Sequence, residues 1–109
     1  MHPRIKVELE VVGSIGTEKR LINGTIRDIS QGGCRLELPG LIPLVPKTPV
    51  CITFTLPNDE LIDDLSCTVM NLEHVVAEKK TFTGLSFTGP DSELSKVIKF
   101  CEMCMYFRV

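Results

Sequence analysis

The sequence predicts an all-β fold: a six-stranded antiparallel β-barrel with a C-terminal α-helix packed against it. Three observations carry this reading. Apolar and polar residues alternate with period two through most of the chain, and clusters of Gly, Pro, Asn and Asp interrupt that alternation. Only after Pro90 does the apolar spacing become helical.

The first strand places Ile5, Val7, Leu9 and Val11 on one face and Lys6, Glu8 and Glu10 on the other. Gly13 to Thr17 reads as a turn. Arg20 to Asp28 alternates again, with Ile22 and Ile26 opposite Asn23, Thr25 and Arg27. After a loop, Cys34, Leu36 and Leu38 point inward, with Arg35 and Glu37 outward. Pro39, Pro43, Pro46 and Pro49 mark an irregular connection, because each removes a backbone donor and biases its predecessor away from helix. Val50, Ile52, Phe54 and Leu56 form the fourth strand, turned by Pro57-Asn58-Asp59. Two further strands are expected around Leu65–Glu73 and Thr81–Phe87, joined by Glu78-Lys79-Lys80. Asp91 is the expected helix N-cap, with Glu93 in the first turn and Leu94, Val97, Ile98, Cys101 and Met105 as the apolar stripe.

With 109 residues, one domain over residues 1–109 is expected, with an N-terminal arm at 1–4, whether or not it was cut from a longer chain. A 43% hydrophobic share supports a core, while 12 basic and 14 acidic side chains leave a net charge of −2. A protein that tracks a nucleic-acid polymer shows a basic excess, and this one has none. With only Phe and a single Tyr, and no Trp, it lacks an obvious stacking platform for single strands. No apolar run approaches the roughly 18 residues that span a bilayer, so direct membrane insertion is not expected. An odd number of cysteines, five, argues against a disulfide framework, and a reduced, cytoplasmic protein is expected.

The chemistry concentrates in Asp28-Ile29-Ser30-Gln31-Gly32-Gly33, between the second and third strands. Asp, Ser and Gly in the pattern D-x-S-x-x-G put a carboxylate acceptor, a hydroxyl and a backbone free to take positive φ on one small loop. Such a loop can receive the edge of a purine and its phosphate. Each residue also has a local role: Asp28 in an Asx-turn, Ser30 in an ST-turn, Gly33 at a hairpin needing φ > 0.

In this setting the loop resembles the signature of the PilZ family, small β-barrels many of which bind the bacterial second messenger cyclic di-GMP. Gly84-Leu85-Ser86-Phe87 looks like that family's G-L-x-F strand, and the element order matches over nearly the whole chain. The family's second motif is R-x-x-x-R before the first strand. Arg4 matches its second arginine, and the first falls one position before Met1. The resemblance implies a receptor domain, not an enzyme, that binds cyclic di-GMP through Arg4, Asp28, Ser30 and Gly33. Arg4 would take guanine O6 and N7 or a phosphate, Asp28 the guanine N1–H and amine, and Ser30 a phosphate or base. Arg35 is a candidate second basic group beside the loop. The implied mechanism is a switch: ligand bridges the arm to the loop, and a downstream protein or neighbouring domain meets the ordered arm.

The alternative is a PilZ-like protein–protein interaction adaptor that binds no nucleotide. Cys101-x-x-Cys104 reads as core thiols on a helix, since zinc wants four ligands and no second pair accompanies it. Asp59, Glu60, Asp63 and Asp64 read as a solvated hairpin. No cofactor and no metal site are expected.

Overall fold

The structure, a computed structural model, describes residues 3–106; Met1 and His2 of the expected arm, and positions 107–109 of the expected domain, lie outside them. Strands β1 (Ile5–Ile15), β2 (Arg20–Ile29) and β3 (Gly33–Pro39) follow as antiparallel hairpins, as do β4 (Pro49–Thr55), β5 (Leu61–Val75) and β6 (Lys80–Gly89). Pairing of β3 with β6 and of β4 with β1 closes the sheet in the order β1-β2-β3-β6-β5-β4. Helix α1 (Asp91–Tyr106) completes the chain.

The alternating side chains explain the interior. Ile26, Ile29, Leu36, Leu38, Ile52, Leu56, Ile62, Leu65 and Val69 are all fully buried inside the barrel. Burying each such side chain contributes about 1.5–3 kcal/mol relative to exposure. The segment between β3 and β4 crosses one end of the barrel, where Leu44 is buried. It is tied down by the buried Thr81 hydroxyl, which accepts from Ile42 N–H and donates to the Gly40 carbonyl, both at 2.8 Å.

Helix α1 packs on β5 and β6 through Val97, Phe100 and Cys101. Glu93 accepts the Asp63 backbone N–H at 2.7 Å, and Lys96 donates to the Leu61 carbonyl at 3.2 Å. The register places α1, the start of β1 and the loop between β2 and β3 at the same end, because Ile5 pairs with Ile29, Gly33 with Ser86, and Ser66 with Gly89. No described helix is long and apolar enough to cross a membrane.

Four details differ from the sequence reading. The first turn comes later than Gly13 to Thr17, because β1 runs on to Ile15, with Gly13 paired to Ile22 on β2 and to Ile52 on β4. The fifth strand starts at Leu61, not Leu65, because Asp63 and Asp64 share a bulge: both face Thr53, whose hydroxyl accepts Asp64 N–H at 2.9 Å and donates to Asp63 Oδ1 at 3.3 Å. The helix begins one residue early, since the Pro90 carbonyl accepts Leu94 N–H at 3.0 Å; Asp91 is therefore its first residue and not its cap. On its stripe Met105 is 46% exposed, and Phe100 takes the buried place instead. Phe100 lies three residues from Val97 and so shares its face, whereas Met105 sits in the last turn of the helix.

Gly24 lets β2 and β3 approach. A Cβ there would lie 2.6 Å from the Glu37 carbonyl oxygen and 2.7 Å from Leu38 Cδ2. Gly24→Ala is expected to cost about 1–3 kcal/mol by overpacking. A lower midpoint in urea unfolding with an unchanged slope is the signature; an unchanged midpoint would refute it.

Candidate functional site

In β2, Ile26 and Ile29 are both fully buried, so two residues separate them where strict alternation allows one. The register against β3 steps between Ile26 and Asp28, which makes Arg27 the extra residue of a bulge. Both Arg27 and Asp28 therefore reach the outer surface of the barrel. Without the bulge, Asp28 would point into an apolar core.

Each candidate residue can now be placed. Arg4, just before β1, donates through Nη1 to Asp28 Oδ1 at 2.5 Å, an ion pair between a 59% exposed and a 20% exposed side chain. Asp28 is the register partner of Lys6 on β1 and of Arg35 on β3. Arg4, Asp28 and Arg35 thus meet on one patch. Asp28 makes this pair with Arg4 in place of the Asx-turn open to it from sequence.

Ser30 is buried and works within the loop. Its hydroxyl donates to the Gly33 carbonyl at 3.2 Å and accepts Gly32 N–H at 3.3 Å, while its backbone N–H donates to the same carbonyl at 2.8 Å. The loop is sewn to β6 by Phe87 N–H donating to the Gly32 carbonyl at 2.9 Å. Gly33 does not take the positive φ considered for it; the glycines with positive φ are Gly16, Gly40 and Gly89. Its requirement is steric instead, since a Cβ would sit 2.1 Å from the Leu85 carbonyl oxygen.

Arg35 leans away from Asp28. Its Nη2 donates to Glu73 Oε1 of β5 at 3.1 Å, and its guanidinium carbon lies 4.8 Å from the centre of the Phe82 ring on β6. Neither Glu73 nor Phe82 was singled out from sequence; they are distant in the chain and meet only through the β3-β6-β5 pairing.

Arg27 was also missed. It donates through Nε to Glu37 at 3.0 Å and through Nη1 to Glu8 at 2.8 Å, linking β3, β2 and β1. Lys80 adds a second cation to Glu37 at 3.5 Å. The Arg27 hydrogen bond, followed by the charges of Arg27 and Lys80, holds the Glu37 carboxyl below the usual carboxylate range despite the opposing effect of burial. The same bond raises the Arg27 guanidinium, so it stays charged.

A large concavity lies elsewhere. A groove of about 1050 Å³ runs over the outer face of β1, β2 and β4, lined by Glu10, Val12, Thr25, Thr53 and Leu61 among others, and includes none of Arg4, Asp28, Ser30 or Arg35. The loop patch is an open surface. Burial raises the Cys34 thiol well above its ordinary value, Cys67 to about 12 and Cys101 to about 11, so these three stay protonated and pack as core. Cys104 is half-buried beside Cys101. Among the described residues no three His, Cys, Asp or Glu side chains gather to hold a metal ion.

A family model described as PilZ domain matches residues 1–102. No match was found among curated proteins. Among solved structures, the Bacillus subtilis inhibitor of motility, MotI/DgrA, superposes with a TM-score of 0.77 at 15% identity over 100% of this chain and 53% of its own. This chain therefore spans about half the length of that protein. The PilZ domain of YcgR from Escherichia coli with cyclic di-GMP gives 0.72 at 9% identity, over 96% of this chain and 90% of its own. The PilZ domain of CeSA from a cellulose-synthesizing bacterium gives 0.70 at 18% identity, over 94% and 98%. These likenesses show a shared barrel-and-helix fold.

The carboxylate of Glu37 has a consequence for acid stability. Its folded value lies below the unfolded one, about 4.3, so its contribution is present above that pH and is lost as pH falls through the folded value. Unfolding free energy measured between pH 6 and pH 3 is expected to fall less steeply in Glu37→Gln than in the wild type. Parallel curves would show that Glu37 is not linked to folding.

Proposed function

The chain belongs to the PilZ domain family, and from that we propose that it is a receptor for cyclic di-GMP. The observation that carries the reading is the meeting of the Arg4 guanidinium and the Asp28 carboxylate beside the Ser30–Gly33 turn. Support also comes from a PilZ domain of the same fold solved with that nucleotide.

The roles follow from the groups available. Arg4 offers a planar donor fork that fits guanine O6 and N7 or a phosphate. Its present partner is a single carboxylate oxygen, so an anionic ligand exchanges one acceptor for another at little cost in unmade bonds. Asp28, released from Arg4, accepts from guanine N1–H and its amine. The Ser30 hydroxyl hydrogen goes to the Gly33 carbonyl, so Ser30 contributes through the shape of the loop. Gly33 keeps that loop against β6, and Arg35 supplies a second cation on the patch. No step is catalysed.

The exchange at Arg4 shifts the segment leading into β1, and that shift is what a neighbouring domain or partner protein meets. Coupling of this kind needs only a different ligand affinity for the two arm positions. Output through protein contact suits a chain whose similar structures include an inhibitor of motility. A second reading, an adaptor that binds no nucleotide, draws on the groove over β1, β2 and β4 and on Val12 and Leu61, both more than half exposed. A cytoplasmic location fits either reading.

Calorimetric titration of cyclic di-GMP decides between them. A bidentate arginine–guanine contact is worth about 1–3 kcal/mol, roughly five- to 150-fold in affinity. Arg4→Ala and Asp28→Ala are each expected to weaken binding within that range, and an arginine placed before Met1 to strengthen it by as much. No heat near millimolar ligand, from either the wild type or the extended chain, would leave the adaptor.

A further inference from the structure

We propose that Arg35, Phe82 and Glu73 form a stacking platform for one purine face, with the Arg35 guanidinium as the layer between the base and the Phe82 ring. The proposal rests on the cyclic di-GMP reading, gives Arg35 a more specific role than that of a second cation, and adds Phe82 and Glu73, which that reading does not use.

The geometry begins with register. Arg35 pairs across the sheet with Gly84, and the space a side chain there would take is filled by the Asn71 amide, whose Oδ1 accepts Gly84 N–H at 2.9 Å. Phe82 lies two residues along β6 on the same outer face and pairs directly with Glu73 on β5. Arg35 crosses the ring at 4.8 Å and ends on Glu73 at 3.1 Å. A guanidinium held at one end by a carboxylate and covered beneath by an aromatic ring has its outer face free. The Arg35 side chain remains 44% exposed.

Charge decides what that face receives. A phosphate would meet Glu73 as well as Arg35, and the local charges cancel. It would also have to take the Nη2 donor that Glu73 already holds. A purine ring is neutral, needs no donor from the fork, and stacks on a guanidinium plane. Position agrees: Asp28 is the direct register partner of Arg35, one strand away, and Phe82 lies on the next strand. At about 4.8 Å per strand, the platform stands roughly 5–10 Å from Asp28, within the span of a dinucleotide that has its other base edge on that carboxylate.

The two roles open to Arg35 differ in sign for one variant. As a phosphate clamp, Arg35 freed from Glu73 in Glu73→Gln would bind more tightly. As a stacking layer, Arg35 in that variant loses its anchor and binding weakens. Calorimetric titrations of cyclic di-GMP into the wild type, Arg35→Lys, Phe82→Leu, Glu73→Gln and Asp28→Ala test this, with thermal unfolding of each as a check on folding. Arg35→Lys keeps the charge but loses the plane and is expected to bind about five- to 150-fold more weakly, with Phe82→Leu and Glu73→Gln weakened in the same direction. Wild-type binding that Asp28→Ala diminishes but Arg35→Lys leaves unchanged, or tighter binding by Glu73→Gln, overturns the platform and leaves the receptor standing. Silence from the wild type near millimolar ligand overturns both.

Discussion

A β-strand sends successive side chains to opposite faces, and the surface chemistry of this barrel depends on one place where β2 departs from that rule. Ile26 and Ile29 both fill the core, so Arg27 and Asp28 must both turn outward. An aspartate driven into the apolar interior would carry a desolvation cost of several kcal/mol. The extra residue removes that conflict and sets a carboxylate beside a guanidinium. From this follow the Arg4–Asp28 pair, the Arg27 bridge and the alignment of Asp28 with Arg35.

The ion pairs on this face are best understood as positioning devices. Exposed pairs of this kind are individually worth about 0–1 kcal/mol, too little to decide whether the barrel folds. Their geometry matters more. Arg27 spans from Glu8 on β1 to Glu37 on β3, where β1 has its own register shift between Lys6 and Leu9. It therefore fixes the start of β1 against β2, the segment that carries Arg4 to Asp28. Beneath it, the Ser30 hydroxyl holds the loop, and the absent side chain of Gly33 lets Leu85 pack closely.

Much of this was legible in the sequence because burial imposes a period, and period can be counted. Ile22, Leu36 and Ile52 are core residues read from alternation alone, and Asp28, Ser30 and Gly33 stood out by spacing. What escaped were the irregularities. Two consecutive polar residues, Arg27-Asp28 in β2 or Asp63-Asp64 in β5, look like the end of a strand when they are a bulge within it. Long-range pairings escaped for a different reason. Arg35, Phe82 and Glu73 come from three strands, and no local pattern announces that β3 lies beside β6 and β6 beside β5. Gly33 differs in its physical cause from the positive φ considered for it: a neighbouring carbonyl excludes a side chain there.

Closure of the sheet also restricts how this domain can speak to a partner. Every strand has a neighbour on both sides, since β4 returns to β1. The free edges that remain are short, where a ladder ends before its strand does: Ile5 to Glu10 on the β4 side of β1, Arg20 to Gly24 on the β3 side of β2, and Met70 to Val75 on the β4 side of β5. A partner's extended segment would find only a handful of residues to pair with at any of them. Recognition therefore falls mainly to side chains, on the outer face of the barrel, at its two ends or on α1. The displacement proposed for Arg4 would fall at one of those ends, on the same side as the helix, where a side-chain interface could read it.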